Sequence, residues 1–215
     1  FQMSVRTNAN KTGINIFVCN SINTSNNSFG TTLAYYSTGY DFIATRKNQM
    51  TSNSTTLAHE LGHFFSLPHP FNGWEGVDYH CNLDNYTSSN PCANPIYGPS
   101  NPPPGSINGN LVELADGSNC SQAGDYFCDT EPDYNLGFLG GNNCNYTSGA
   151  VDPNGQAINP NETLYMGYFN DNCTDKFTGE QQGAIAADMQ HFSRNYLFTS
   201  SPANTTEITA AATLV

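Results

Sequence analysis

The stretch that decides the reading of this chain is His59-Glu60-Leu61-Gly62-His63-Phe64-Phe65-Ser66-Leu67-Pro68-His69. On an α-helix, residues four apart lie within about 40° of each other around the axis, so His59 and His63 share one face, one turn apart. The surrounding pattern favours a helix over residues 54–67. Thr55 or Thr56 can cap it, and Leu57, Leu61, Phe64 and Phe65 form its apolar stripe. Pro68 disfavours helical geometry at Leu67 and stops the helix, after which the chain can return and bring His69 to the same point. Three neutral imidazole nitrogens with a fourth position open describe a catalytic rather than a structural zinc. Glu60 adjoins a ligand on the same helix, within reach of a water whose pKa the metal lowers, and is the candidate general base. His80 and His191 lack such company and read as surface or packing residues.

Outward from this segment the chain falls into unlike parts. Residues 1–50 carry three strand-like runs, Ile14 to Cys19, Leu33 to Ser37 and Tyr40 to Thr45, separated by Asn-, Ser- and Gly-rich clusters. Residues 70–163 have little periodicity, and Ser89 to Asn110, with its Pro-Pro-Pro, reads as one long irregular loop. A second helix is expected over residues 178–197. Thr178 caps it, Glu180 lies in its first turn, and Ile185, Met189, Phe192 and Leu197 recur at helical spacing. Residues 199–215 read as a tail or linker.

The histidine segment resembles the signature of the metzincin metallopeptidases, H-E-x-x-H-x-x-G-x-x-H, with Ser66 in place of the family glycine. That glycine serves a left-handed turn, where serine costs roughly 1–2 kcal/mol. Tyr165-Met166-Gly167-Tyr168 is similar to the metzincin Met-turn. Met166 is then the apolar floor beneath the metal, and Tyr168 the auxiliary tyrosine facing the metal or the developing oxyanion. Within the metzincins the resemblance is to the pappalysin family, particularly its bacterial secreted members. It runs through His69-Pro70-Phe71, Gly124-Asp125-Tyr126-Phe127-Cys128-Asp129-Thr130-Glu131-Pro132, Cys144-Asn145-Tyr146, the Asp152-Pro153-Asn154-Gly155 turn and Cys173 ahead of Phe177-Thr178-Gly179-Glu180-Gln181.

The resemblance implies an α+β catalytic domain over residues 1–198. It would have a small mixed twisted sheet and active-site helix (1–69), then a loop-rich lower part with the Met-turn and a C-terminal helix (70–198). It implies a secreted endopeptidase using zinc on His59, His63 and His69, with Glu60 as base, and a structural calcium with Asp125 and Thr130 as ligands. With proximity in sequence, it suggests the disulfides Cys144–Cys173, Cys120–Cys128 and Cys81–Cys92. The substrate, a peptide or protein, would lie along the sheet edge as an added strand.

Composition narrows the rest. The chain has 215 residues, with 37% hydrophobic and 12% aromatic residues, too apolar for disorder. No apolar run reaches the ~20 residues of a membrane helix. Six Lys and Arg against 18 Asp and Glu give a net charge of -12, which repels nucleic acid and anionic lipid. Seven cysteines without a Cys-x-x-Cys pair point to disulfides and an oxidising compartment, with Cys19 the odd thiol; a monomer is expected. The start at Phe1 is read as a trimmed chain whose targeting segment is gone. Two other readings stay open at this point. One is a gluzincin-type peptidase with a carboxylate third ligand, for which Glu75 and Glu113 are the nearby acids. The other is an inactive metzincin-like binding or adhesion module.

Overall fold

The computed structural model describes residues 13–22, 32–77, 79, 96–140, 144–146 and 149–199. Strands β1 (Asn15–Cys19), β2 (Ala34–Ser37) and β3 (Phe42–Arg46) form a mixed sheet in the order β1-β3-β2, with β1 parallel and β2 antiparallel to β3. The central strand is the most buried of the three. Phe42, Ile43, Ala44 and Thr45 are all buried, as a strand covered on both faces requires. Each strand lies within two residues of its expected bounds.

Helix α1 (Thr56–Phe64) follows and lies on β2 and β3. Thr55 occupies the N-cap position but makes no capping bond. Its hydroxyl donates instead to Asp171 Oδ1 at 2.8 Å. Thr174, 2.6 Å away, must then donate to Thr55, whose single proton is taken.

Beyond α1 the chain is loop-rich, built around an aromatic core that includes Phe71, Trp74, Tyr79, Tyr134 and Phe169. Trp74 and Tyr134 stack at 4.7 Å. Of the expected irregular loop, residues 89–95 lie outside the described residues, and its far end is regular. Strands β4 (Ser106–Ile107) and β5 (Asn110–Leu111) form a hairpin. Asn108 (φ 51°) and Gly109 (φ 84°) supply the two left-handed residues of its turn. A short helix, α2 (Leu136–Gly140), was not anticipated.

The expected C-terminal helix is broken. α3 (Gly179–Met189) opens with a complete capping box between Thr178 and Gln181, so Gln181, not Glu180, is the reciprocal partner. At His191 the backbone is extended (ψ 144°), and a 3-10 turn over Phe192–Arg194 precedes α4 (Tyr196–Thr199). The periodicity failed because Phe192 faces solvent, 77% exposed, while Arg194 is drawn into the interior.

Cys120–Cys128 and Cys144–Cys173 are bonded as expected, each with Cα atoms 5.1 Å apart, and Cys19 is free. The proposed Cys81–Cys92 bond, His80 and the tail beyond residue 199 lie outside the described residues. None of the described helices is long and apolar enough to cross a membrane.

Candidate metal centre and catalytic cleft

Helix α1 ends in a Schellman motif. Leu67 N–H donates to Gly62 O at 3.0 Å and Ser66 N–H to His63 O at 2.9 Å. Ser66 therefore sits at the position where glycine is usual and takes the left-handed conformation, φ 67°. Serine has not reshaped the turn; it occupies the strained geometry that delivers His69.

The Nε2 atoms of His59, His63 and His69 converge at 3.1, 3.0 and 3.3 Å from one another. These separations approach the ~3.3 Å edge of a tetrahedron whose centre lies ~2.0–2.1 Å from each nitrogen, the length of a zinc–imidazole bond. The outer nitrogens explain the convergence. His59 Nδ1 lies 2.7 Å from Tyr165 O and His63 Nδ1 2.8 Å from Leu67 O. A carbonyl only accepts, so each Nδ1 carries the proton and each Nε2 turns a bare lone pair to the centre. His69 Nδ1 faces the Glu75 carboxylate at 3.4 Å. Burial, then the neighbouring His69 and His63, hold His59 well below its usual pKa, while burial and His69 bring His63 down to about 4. Three imidazole nitrogens aimed at one point fit a divalent borderline-soft cation. Among the described residues they are the only group of three or more His, Cys, Asp or Glu side chains so arranged. Glu75 lies on the outer side of His69, away from the point where the three Nε2 atoms converge.

Met166 is fully buried beneath this site. A Cβ added at Gly62 would fall 2.2 Å from its Sδ, so the glycine between the two helical histidines is what lets the thioether touch the helix backbone. Sequence reasoning passed over Gly62, although a mid-helix glycine, costing about 1 kcal/mol against alanine, was a visible signal. The turn bearing Met166 is anchored at both ends. Gly167 N–H closes it onto Leu164 O at 3.1 Å, and Tyr165 N–H donates to Lys176 O at 2.9 Å.

Glu60 and Tyr168 join His59 around a cavity of about 370 Å³ that also reaches Thr55, Asp171 and Thr174. Glu60 is only 6% exposed, and burial pushes it up to about 7 against the opposing hydrogen bond from the Tyr36 amide. The Tyr168 ring lies 5.0 Å from His69, 5.6 Å from His59 and 4.6 Å from Phe71. Although Tyr168 is 41% exposed, desolvation of its phenol, and then the charges of Glu60 and Glu75, push it up to about 12. It stays a hydrogen-bond donor throughout the neutral range.

Asp125 and Thr130 come together, but as each other's partners. Thr130 Oγ1 donates to Asp125 Oδ1 at 2.7 Å, and Gln181 Nε2 takes Oδ2 at 3.2 Å. Close by is an acid that no sequence motif places there. Glu113 is 3% exposed, and its Oε2 has no hydrogen-bond partner; it packs so near Gly124 that a Cβ there would lie 2.2 Å away. Burial, then Asp125, Glu131 and Asp133, push Glu113 up to about 9.

No family model matches the sequence, and no curated protein matches it. Among solved structures the chain is similar to mature mirolysin of Tannerella forsythia in complex with a cleaved peptide, with a TM-score of 0.43 and 18% identity over 87% of this chain and 56% of that one. It is likewise similar to mirolysin in complex with compound 9, with a TM-score of 0.45 and 19% identity over the same shares. The chain thus spans a little over half the length of those solved chains.

Proposed function

We propose that this chain is a secreted, monomeric zinc endopeptidase of the metzincin type, close to the pappalysins. The observation that carries the reading is the pairing of three converging Nε2 lone pairs with a buried carboxyl on the adjacent residue. His59, His63 and His69 would hold zinc, which when bound brings the pKa of water toward 7 and polarises a carbonyl oxygen. Glu60, poised at about 7, takes a proton from the attacking water and returns it to the leaving nitrogen. Tyr168 donates its phenolic proton in a hydrogen bond to the carbonyl oxygen as that oxygen gains charge. The outer edge of β2, unpaired among the described residues, offers the substrate backbone a partner strand. The two disulfides suit an oxidising compartment. A structural calcium near Asp125 and Thr130 belongs to the same proposal, as the resemblance in sequence implies.

The test is Glu60→Gln. It should keep about one equivalent of zinc while cleavage of a quenched peptide falls by at least about a hundredfold. A variant that still cleaved at the wild-type rate would remove Glu60 from the role.

A further inference from the structure

We infer that Arg194 is a positioning residue for the proposed reaction, a buried clamp that fixes both the edge strand beside Glu60 and the turn that delivers His69. The inference rests on the endopeptidase reading.

Arg194 is 7% exposed and lies 130 residues along the chain from Phe64 and 153 from Asp41, both of which it touches. Its Nη1 donates to Asp41 Oδ1 at 2.7 Å and its Nε to Asp188 Oδ2 at 3.0 Å. Its Nη2 donates to Phe64 O, and its Cζ stands 4.0 Å over the Phe64 ring. A buried cation needs such pairing, and only a planar fork can meet two carboxylates and a carbonyl at once.

Each contact leads to the cleft. Phe64 O is the last carbonyl of α1, while Leu61 O, Gly62 O and His63 O are taken by Phe65, Leu67 and Ser66. Arg194 therefore completes the helix end from which the turn departs. Asp188 offers its other oxygen to Ser66 Oγ at 3.1 Å, holding the left-handed serine whose neighbour Leu67 fixes the His63 ring. Asp41, itself left-handed at φ 53°, accepts the Tyr36 hydroxyl at 2.9 Å and the Tyr196 hydroxyl at 2.7 Å. Tyr36 lies in β2, the edge strand against which the helix bearing Glu60 packs. One side chain thus ties the general base's partner strand and the third ligand's turn to the C-terminal segment.

The experiment compares Arg194→Lys and Arg194→Ala with wild type below their melting temperatures. Zinc content, kcat and KM on a quenched peptide, and the visible spectrum of the cobalt-substituted protein are measured. Expected are one metal per chain, KM within about twofold, kcat lower by about tenfold or more in both variants, and altered cobalt bands. Should Arg194→Ala not fold, Asp188→Asn, which leaves Ser66 an acceptor but breaks the ion pair, is expected to move kcat and the bands the same way. Wild-type kcat with an unchanged cobalt spectrum in folded variants would overturn the clamp. Absence of cleavage by wild type itself would overturn the enzyme reading instead, and the cobalt spectra would still decide whether Arg194 shapes the metal centre.

Discussion

Gly62 and Met166 show how tightly the floor of the candidate centre is specified. Helix propensity alone says that Gly62→Ala should stabilise α1 by about 1 kcal/mol. The packing says the opposite, because the new methyl would meet Met166 Sδ at 2.2 Å in a fully buried setting. Overpacking of this kind costs about 1–3 kcal/mol, so the denaturation midpoint of Gly62→Ala should fall. A rise would mean that the thioether moves aside freely. At this scale the convergence of His59, His63 and His69 was legible, since one helix and its stop bring them together. Their orienting acceptors were not: Tyr165 O and Leu67 O are backbone atoms, which carry no sequence signal, and Tyr165 reaches His59 across 106 residues. The strain at Ser66 was legible as a departure from a pattern, and its compensation by Asp188 was not.

Among the elements, the strands and α1 were readable because their cause is local. The hairpin around Asn108 and Gly109 was missed although an Asn-Gly pair is a strong turn signal, because the surrounding prolines argued for irregular chain. The last helix was overextended because Phe192 and Leu197 fit a helical period that the burial of Arg194 overrides. The segment joining Glu113 to Asp133 also carries a pH dependence. Glu113 has a folded pKa of about 9 against the ordinary 4.5, so folding favours its protonated form. Its contribution is complete below about pH 4.5 and is lost as pH rises toward 9, at up to about 1.4 kcal/mol per unit. In calcium-free buffer, Glu113→Gln should therefore gain stability relative to wild type between pH 5 and 9, read from denaturation midpoints at each pH. A flat difference would mean Glu113 is solvated. Added calcium at pH 8 should stabilise wild type and leave Glu113→Gln unmoved; no effect on wild type would remove calcium from the proposal.

Across the whole molecule, the architecture places a sheet and one helix over a loop-rich region stiffened by disulfides and an aromatic core. Regular structure supplies two imidazoles and the Glu60 carboxyl, a strained turn supplies the third imidazole, and the loops supply Tyr168, Met166 and the carbonyl that orients His59. The central claim is that these parts were assembled around one zinc ion. X-ray absorption of the purified, zinc-loaded chain tests it most directly. One zinc per chain bound by three imidazole nitrogens at ~2.0–2.1 Å is the predicted result; a chain that takes up no zinc, or one whose zinc has a carboxylate in place of the third imidazole, would contradict it.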